Sequence, residues 1–179
     1  RTAKPTQTAR MGCGRSASTE ANTSARIPSP IALARICFPA SAMLNLTVQQ
    51  FMTRSPHTIG HDQPLVAAHR LMRDNDIRHL PVLRDRKLVG IVTQRDLHLI
   101  ESLKDVDPDK VLVSEAMSAE VYTVGPRTSI RKIASEMATH KYGSVVVMEH
   151  DQVVGVFTTV DALTVLYGLL EVDRQNGAD

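Results

Sequence analysis

Cysteine is almost missing from this chain: of 179 residues only Cys13 and Cys37 are cysteines, and both stand in its first 42 residues. The remainder therefore holds no disulfide, which suits a reducing compartment and a cytoplasmic location. Long apolar runs are missing too. No stretch approaches the roughly 18 consecutive apolar residues of a membrane span, so no membrane partner is expected. There is no P-loop, no nucleophile beside a base in a recognisable motif, and no pair of carboxylates in distinct environments. Those gaps argue against an enzyme and leave no catalytic residue to name. Aromatics make up 3% of the chain, and the basic N-terminal segment has only Phe38. Bases would find little there to stack on, which speaks against a nucleic-acid arm.

What is present suffices for one ordinary core of roughly 100 to 150 residues, with 42% apolar and 22% charged side chains. Charge is unevenly placed. Residues 1 to 42 carry Arg1, Lys4, Arg10, Arg15, Arg26 and Arg35 against Glu20 alone, so subtracting their +5 from the total of +2 leaves −3 for the rest. This Ser/Thr/Arg-rich stretch lacks a sustained period of 2 or 3.6, and residues 1–43 are expected to be a disordered tail or non-native leader. Its composition is also that of an organellar transit peptide, while Met43 is the expected native start.

The main signal is an internal repeat. Shifted by 65 positions, residues 52–97 align with 117–162 without a gap: Met52 falls on Met117, Gly60 on Gly125, Met72 on Met137, Gly90 on Gly155, Thr93 on Thr158 and Asp96 on Asp161. Two copies are too few for a solenoid and should pack face to face around a shared core. The expected divisions are 44–106 and 107–170, with a polar tail over 171–179. Within each copy the pattern predicts helix, strand, helix, strand, strand, helix, an α+β arrangement of small sheets covered by helices. Thr47 and Ser114 are the expected caps of the first helices. Asp62 with Pro64, and Thr128, are the expected starts of the amphipathic helices carrying Leu65, Ala68, Leu71 and Met72 and their counterparts Ile130, Ile133, Ala134 and Met137. The segments HLPVL and KLVGIVT, then SVVVM and QVVGVFT, read as strands covered on both faces.

Each copy ends its last strand in GIVTQRD or GVFTTVD. Threonine with an acid three residues later, between a strand and a helix, is a capping box in outline, although aspartate is shorter than the usual glutamate. The same helix start suits an anion, and an aspartate can accept both hydroxyls of a ribose. The residues alone leave both readings open.

The repeat resembles the tandem cystathionine-β-synthase (CBS) domains of a Bateman module. The resemblance rests on T-I-G and T-V-G, on RHLPVL, and on the two G-x-x-T-x-x-D motifs, and it spans roughly residues 46–170. It implies a regulatory module with clefts that bind adenosine-containing ligands (AMP, ADP, ATP or S-adenosylmethionine) and pass occupancy to a separate regulated protein. Asp96 and Asp161 would then hold ribose, and Thr93 and Thr158 would meet ribose or phosphate. Arg78, His79 and Arg95 would serve phosphate, with Thr58 and Thr123 at the same sites. No cofactor is required beyond that ligand. The second copy has Gly143, Ser144 and Val160 in place of Arg78, His79 and Arg95, so the first site should favour a phosphorylated ligand. A scaffold whose T-x-x-D motifs only cap helices is the competing reading.

Two features lie outside the motifs. His57 and His61 have a four-residue spacing but flank Gly60 in a strand-like segment, so no metal site is expected. Val165, Leu166, Leu169 and Leu170 form an apolar stripe on the last helix, a candidate homodimer surface.

Overall fold

The computed structural model describes residues 46–103, 107 and 110–176. The tail expected over 1–43 lies outside the described residues. Each repeat is organised by a β-hairpin whose two-residue turn takes left-handed backbone: Asp85 and Arg86 (φ 50° and 67°) join β3 to β4, and His150 and Asp151 (φ 49° and 60°) join β6 to β7. Positive φ at both central positions matches the right-handed twist of the flanking strands. In chain order the elements are β1 (Thr53–Arg54), β2 (Ile59–Gly60), α1 (Leu65–Asn75), β3 (His79–Arg84), β4 (Lys87–Thr93), α2 (Gln94–Glu101), α3 (Val113–Ala116), β5 (Thr123–Val124), α4 (Ile130–His140), β6 (Ser144–Glu149), β7 (Gln152–Thr158) and α5 (Thr159–Asn176), preceded by a 3-10 turn at Val48–Gln50. The α+β class is as the repeat pattern predicts.

One sheet has the order β2-β3-β4 and the other β1-β7-β6-β5. Parallel β2 joins β3 with Ile59 opposite Val82, as β5 joins β6 with Val124 opposite Val147. β5 begins one residue earlier because the Val146 amide donates to the Tyr122 carbonyl at 3.0 Å, whereas the equivalent Pro81 has no amide hydrogen. The strand centres are buried on both hairpins.

The packing units interleave the two sequence repeats. Leu46, Val48, Phe51 and Met52 pack with Ile130, Ile133, Met137, Val145, Val147 and Phe157. Conversely Val113, with Val111, Ala116 and Met117 beside it, packs with Leu65, Met72, Leu80 and Val92. Matching hydrogen bonds tie the exchange: the Val48 amide donates to the Thr128 carbonyl and the Val113 amide to the Gln63 carbonyl, each at 2.9 Å. β1 borders β7, and Ser118 takes the equivalent place beside Ile91 through two 2.9 Å bonds.

Four expected helix boundaries are corrected. Ser114 is not a cap, because its amide donates to the His61 carbonyl from inside α3; the cap position is Leu112, 65 residues after Thr47, which stands at the expected cap position with its amide donating to Gln50 Oε1 at 2.8 Å. Asp62 and Thr128 do not start the amphipathic helices. Ser129 does so for α4 through its hydroxyl, which accepts from the Lys132 amide at 3.3 Å, while Pro64 stands at the matching place with no side-chain acceptor. Finally, α5 runs to Asn176 instead of giving way to a tail at 171, since no glycine or proline stands between Leu170 and Gly177.

Candidate functional site

Thr93 is the last residue of β4 and the cap of α2. Its amide and hydroxyl both donate to Oδ2 of Asp96 at 2.8 Å, and the Asp96 amide returns a bond to the Thr93 hydroxyl oxygen at 3.3 Å. Thr158 and Asp161 repeat the arrangement at 2.7, 2.9 and 3.4 Å at the start of α5. The motif is therefore a complete reciprocal cap, with aspartate reaching where glutamate is usual. A further first-turn amide is also spent: Gln94 donates to the Arg78 carbonyl at 3.0 Å and Thr159 to the Gly143 carbonyl at 3.1 Å.

The cap uses only half of each carboxylate. Oδ2 accepts two bonds, which fills its lone pairs, while no described residue donates to Oδ1 of either aspartate. Oδ1 keeps capacity for two donors, the number a ribose diol presents. The threonine hydroxyls spend their proton on the aspartate and retain acceptor capacity. Burial pushes the Asp161 carboxyl pKa up, against the pull of its two bonds from Thr158.

The motif glycines make room for protein. A Cβ on Gly90 would meet the Met117 side chain and, at 2.9 Å, the Ser118 carbonyl oxygen; one on Gly155 would meet Met52. Each methionine is thus the opposite repeat's lid on the strand that ends in T-x-x-D.

The basic residues gather only at the first motif. His79 opens β3 directly opposite Thr93, half-buried, with Arg78 exposed before it. Arg95 is exposed in the first turn of α2. At the second motif Ser144 faces Thr158, and Val160 replaces Arg95. Thr58, just before β2, and Thr123, in β5, stand at the same end of their sheets as the caps, because β2 and β5 run parallel to the strands that open there. Burial lowers the His79 pKa, the Arg78 guanidinium adds to the effect, and Asp96 opposes it. Its Nε2 faces Gly143 across the seam between the repeats, where a Cβ would stand 3.2 Å away.

Sequence reasoning missed an aromatic stack beside the second motif. Tyr142 precedes Gly143 and stacks on Tyr122 and His140, with ring centroids 5.3 Å apart in each pair. The Tyr122 hydroxyl is buried and has no hydrogen-bond partner among the described residues. Spacing gave no hint of this stack, because the counterparts of Tyr122 and Tyr142 are His57 and Ile77. Among the described residues no group of three or more His, Cys, Asp or Glu is placed to hold a metal, and no helix is long and apolar enough to cross a membrane.

The arrangement has known counterparts. A sequence model of the CBS domain matches residues 48–99 and 113–168. Inosine-5'-monophosphate dehydrogenase of Korarchaeum cryptofilum is 34% identical over 114 residues, 63% of this chain but 23% of the dehydrogenase. Hypoxic response protein 1 of Mycobacterium tuberculosis is 28% identical over 116 residues, 64% of this chain and 81% of that protein. Among solved structures, a Vibrio cholerae protein described as an acetoin utilization protein (AcuB) matches with TM-score 0.64 and 34% identity, over 73% of this chain and 96% of that one. The fold is shared at lower identity by two structures with bound ligands. The CBS domain pair of protein MJ0100, in complex with 5'-methylthioadenosine and S-adenosyl-L-methionine, is 24% identical at TM-score 0.63, over 69% of this chain and 97% of that one. CBSX2 in complex with AMP is 21% identical at TM-score 0.61, over 70% of this chain and 98% of that one.

Proposed function

This chain belongs to the CBS domain family, and from that premise we propose that it is a regulatory module, not an enzyme, that binds adenosine-containing ligands at its two T-x-x-D motifs and signals occupancy to a separate protein. The observation that carries this reading is the unspent carboxylate oxygen: a helix cap needs Oδ2 alone, and both aspartates keep Oδ1 available. Adenosine ligands in two proteins of the same fold support it. Arg78, His79 and Arg95 give the first motif three basic side chains for phosphate, so AMP, ADP or ATP is its ligand class. The second motif keeps the ribose acceptor and adds Tyr122 and Tyr142, with Gly143, Ser144 and Val160 in place of Arg78, His79 and Arg95, which suits a less charged adenosine such as S-adenosylmethionine.

A thermal-shift panel of AMP, ADP, ATP and S-adenosylmethionine tests this. A ligand that binds only the folded state at a hundredfold over its Kd adds about 2.7 kcal/mol of stability. Stabilisation by at least one compound is expected, whereas none with any of them favours the scaffold in which the motifs only cap helices.

We further infer a homodimer through α5. The expected stripe divides on folding: Val165 is buried and Leu169 half-buried against the core, but Leu163, Leu166, Tyr167 and Leu170 stay exposed, Leu163 at 64% and Leu170 at 60%. Exposed apolar groups at helical spacing mark an interface, and a second copy offers the same stripe.

A further inference from the structure

Gly143 is glycine without a conformational reason, since no glycine among the described residues has positive φ. What it does is leave space. The sole heavy atom outside its chain neighbours within 4 Å of a Cβ built there is Nε2 of His79. The ring that opens the first repeat's β3 is thereby received by the second repeat, at a residue whose carbonyl holds the first amide of α5. On its other side His79 stands opposite Thr93 and within the electrostatic reach of Asp96.

We propose that His79, lodged between Asp96 of the first motif and Gly143 of the second repeat, is a proton-coupled selector for phosphate: it is neutral in the free protein and takes up a proton when a phosphate-bearing adenosine enters the seam. The proposal rests on the nucleotide-binding reading above and adds its regulation. The charged groups acting on the ring are Arg78, just before β3, and Asp96 on α2; the neighbour from the second repeat, Gly143, has no side chain. Arg78 and burial favour the neutral ring, and Asp96 alone offsets them only in part. A phosphate brings further negative charge, which reverses the balance and draws one proton from solvent onto the imidazole. A ligand without phosphate brings no such charge. Phosphorylated ligands should therefore bind more tightly as pH falls, by up to about tenfold per pH unit across the titration range.

Calorimetric titration of AMP and adenosine at about pH 7.5, in buffers of different ionisation enthalpy, tests this with the native chain and His79→Gln. The expected result is proton uptake with AMP that disappears in His79→Gln and no His79-dependent uptake with adenosine, at an unchanged melting midpoint in the variant. The difference between native and variant cancels the titration of the phosphate itself, and the melting midpoint reports that the variant is folded. AMP binding with the same proton uptake in both proteins would overturn the proposal while leaving the nucleotide reading standing. Absence of binding by AMP, adenosine, ATP and S-adenosylmethionine to the native chain would overturn the nucleotide reading, and the proposal with it.

Discussion

On the proposed reading a single carboxylate does two jobs in each motif, capping a helix and accepting ribose, and substitutions can separate them. Asp161→Ala removes the acceptor for the Thr158 amide and hydroxyl and should cost about 1 kcal/mol, as loss of a cap does. Asp161→Asn keeps a carbonyl oxygen in the place of Oδ2 and should leave the unfolding midpoint near the native value. The two variants also differ from the native chain in pH dependence. Burial raises the Asp161 pKa in the folded state, so its contribution favours folding at low pH and is lost as pH rises from the ordinary aspartate range through the raised value. Denaturant titrations across that range should show the native chain losing this contribution and Asp161→Asn lacking the slope. The sequence offered the cap and the ribose site side by side, because T-x-x-D between a strand and a helix serves either. It could not show which oxygen the cap consumes, because that depends on the reach of aspartate against the turn of the helix. Tyr122 and Tyr142 were illegible for a different reason: 20 residues separate them, and only the return of β6 beside β5 brings their rings together.

Helices and strands followed the repeat closely because the apolar positions recur at matching places. The starts of α1, α3 and α4 did not, since Ser114, Asp62 and Thr128 are good capping residues that tertiary hydrogen bonds displace by one or two positions. The exchange of first helices was equally hidden, because an apolar face does not name its partner. It has a testable signature at the motif glycines. Gly90→Ala drives a methyl group against the carbonyl of Ser118, a residue that two hydrogen bonds to Ile91 hold in place, whereas the nearest atoms to a methyl group in Gly155→Ala all belong to the movable Met52 side chain. Overpacking costs about 1 to 3 kcal/mol. Gly90→Ala should fall near the top of that range and Gly155→Ala near the bottom, read as the difference in chemical denaturation midpoints.

At the scale of the whole molecule, two interleaved halves share a seam, and the seam is where chemistry and exposed surface differ between them. Arg78, His79 and Arg95 stand at the first motif and Tyr122 and Tyr142 beside the second, so near-symmetric backbone presents two unlike candidate sites. In the proposed homodimer the α5 stripe gives this asymmetric body a symmetric partner. Leu163→Glu should convert a dimer to a monomer in sedimentation equilibrium without lowering the melting midpoint, as Leu163 lies outside the core. Central to the whole account is that each T-x-x-D is a ribose acceptor built from a helix cap, and Asp96→Asn with Asp161→Asn tests it most directly. Both keep an oxygen for the cap but turn the unspent position into an amide donor, which cannot accept a ribose hydroxyl. Calorimetric titration with AMP and S-adenosylmethionine should show affinity falling at least about tenfold, equivalent to about 1.4 kcal/mol, in the double variant at unchanged melting midpoint. Native affinity for both ligands in that folded double variant would contradict the account.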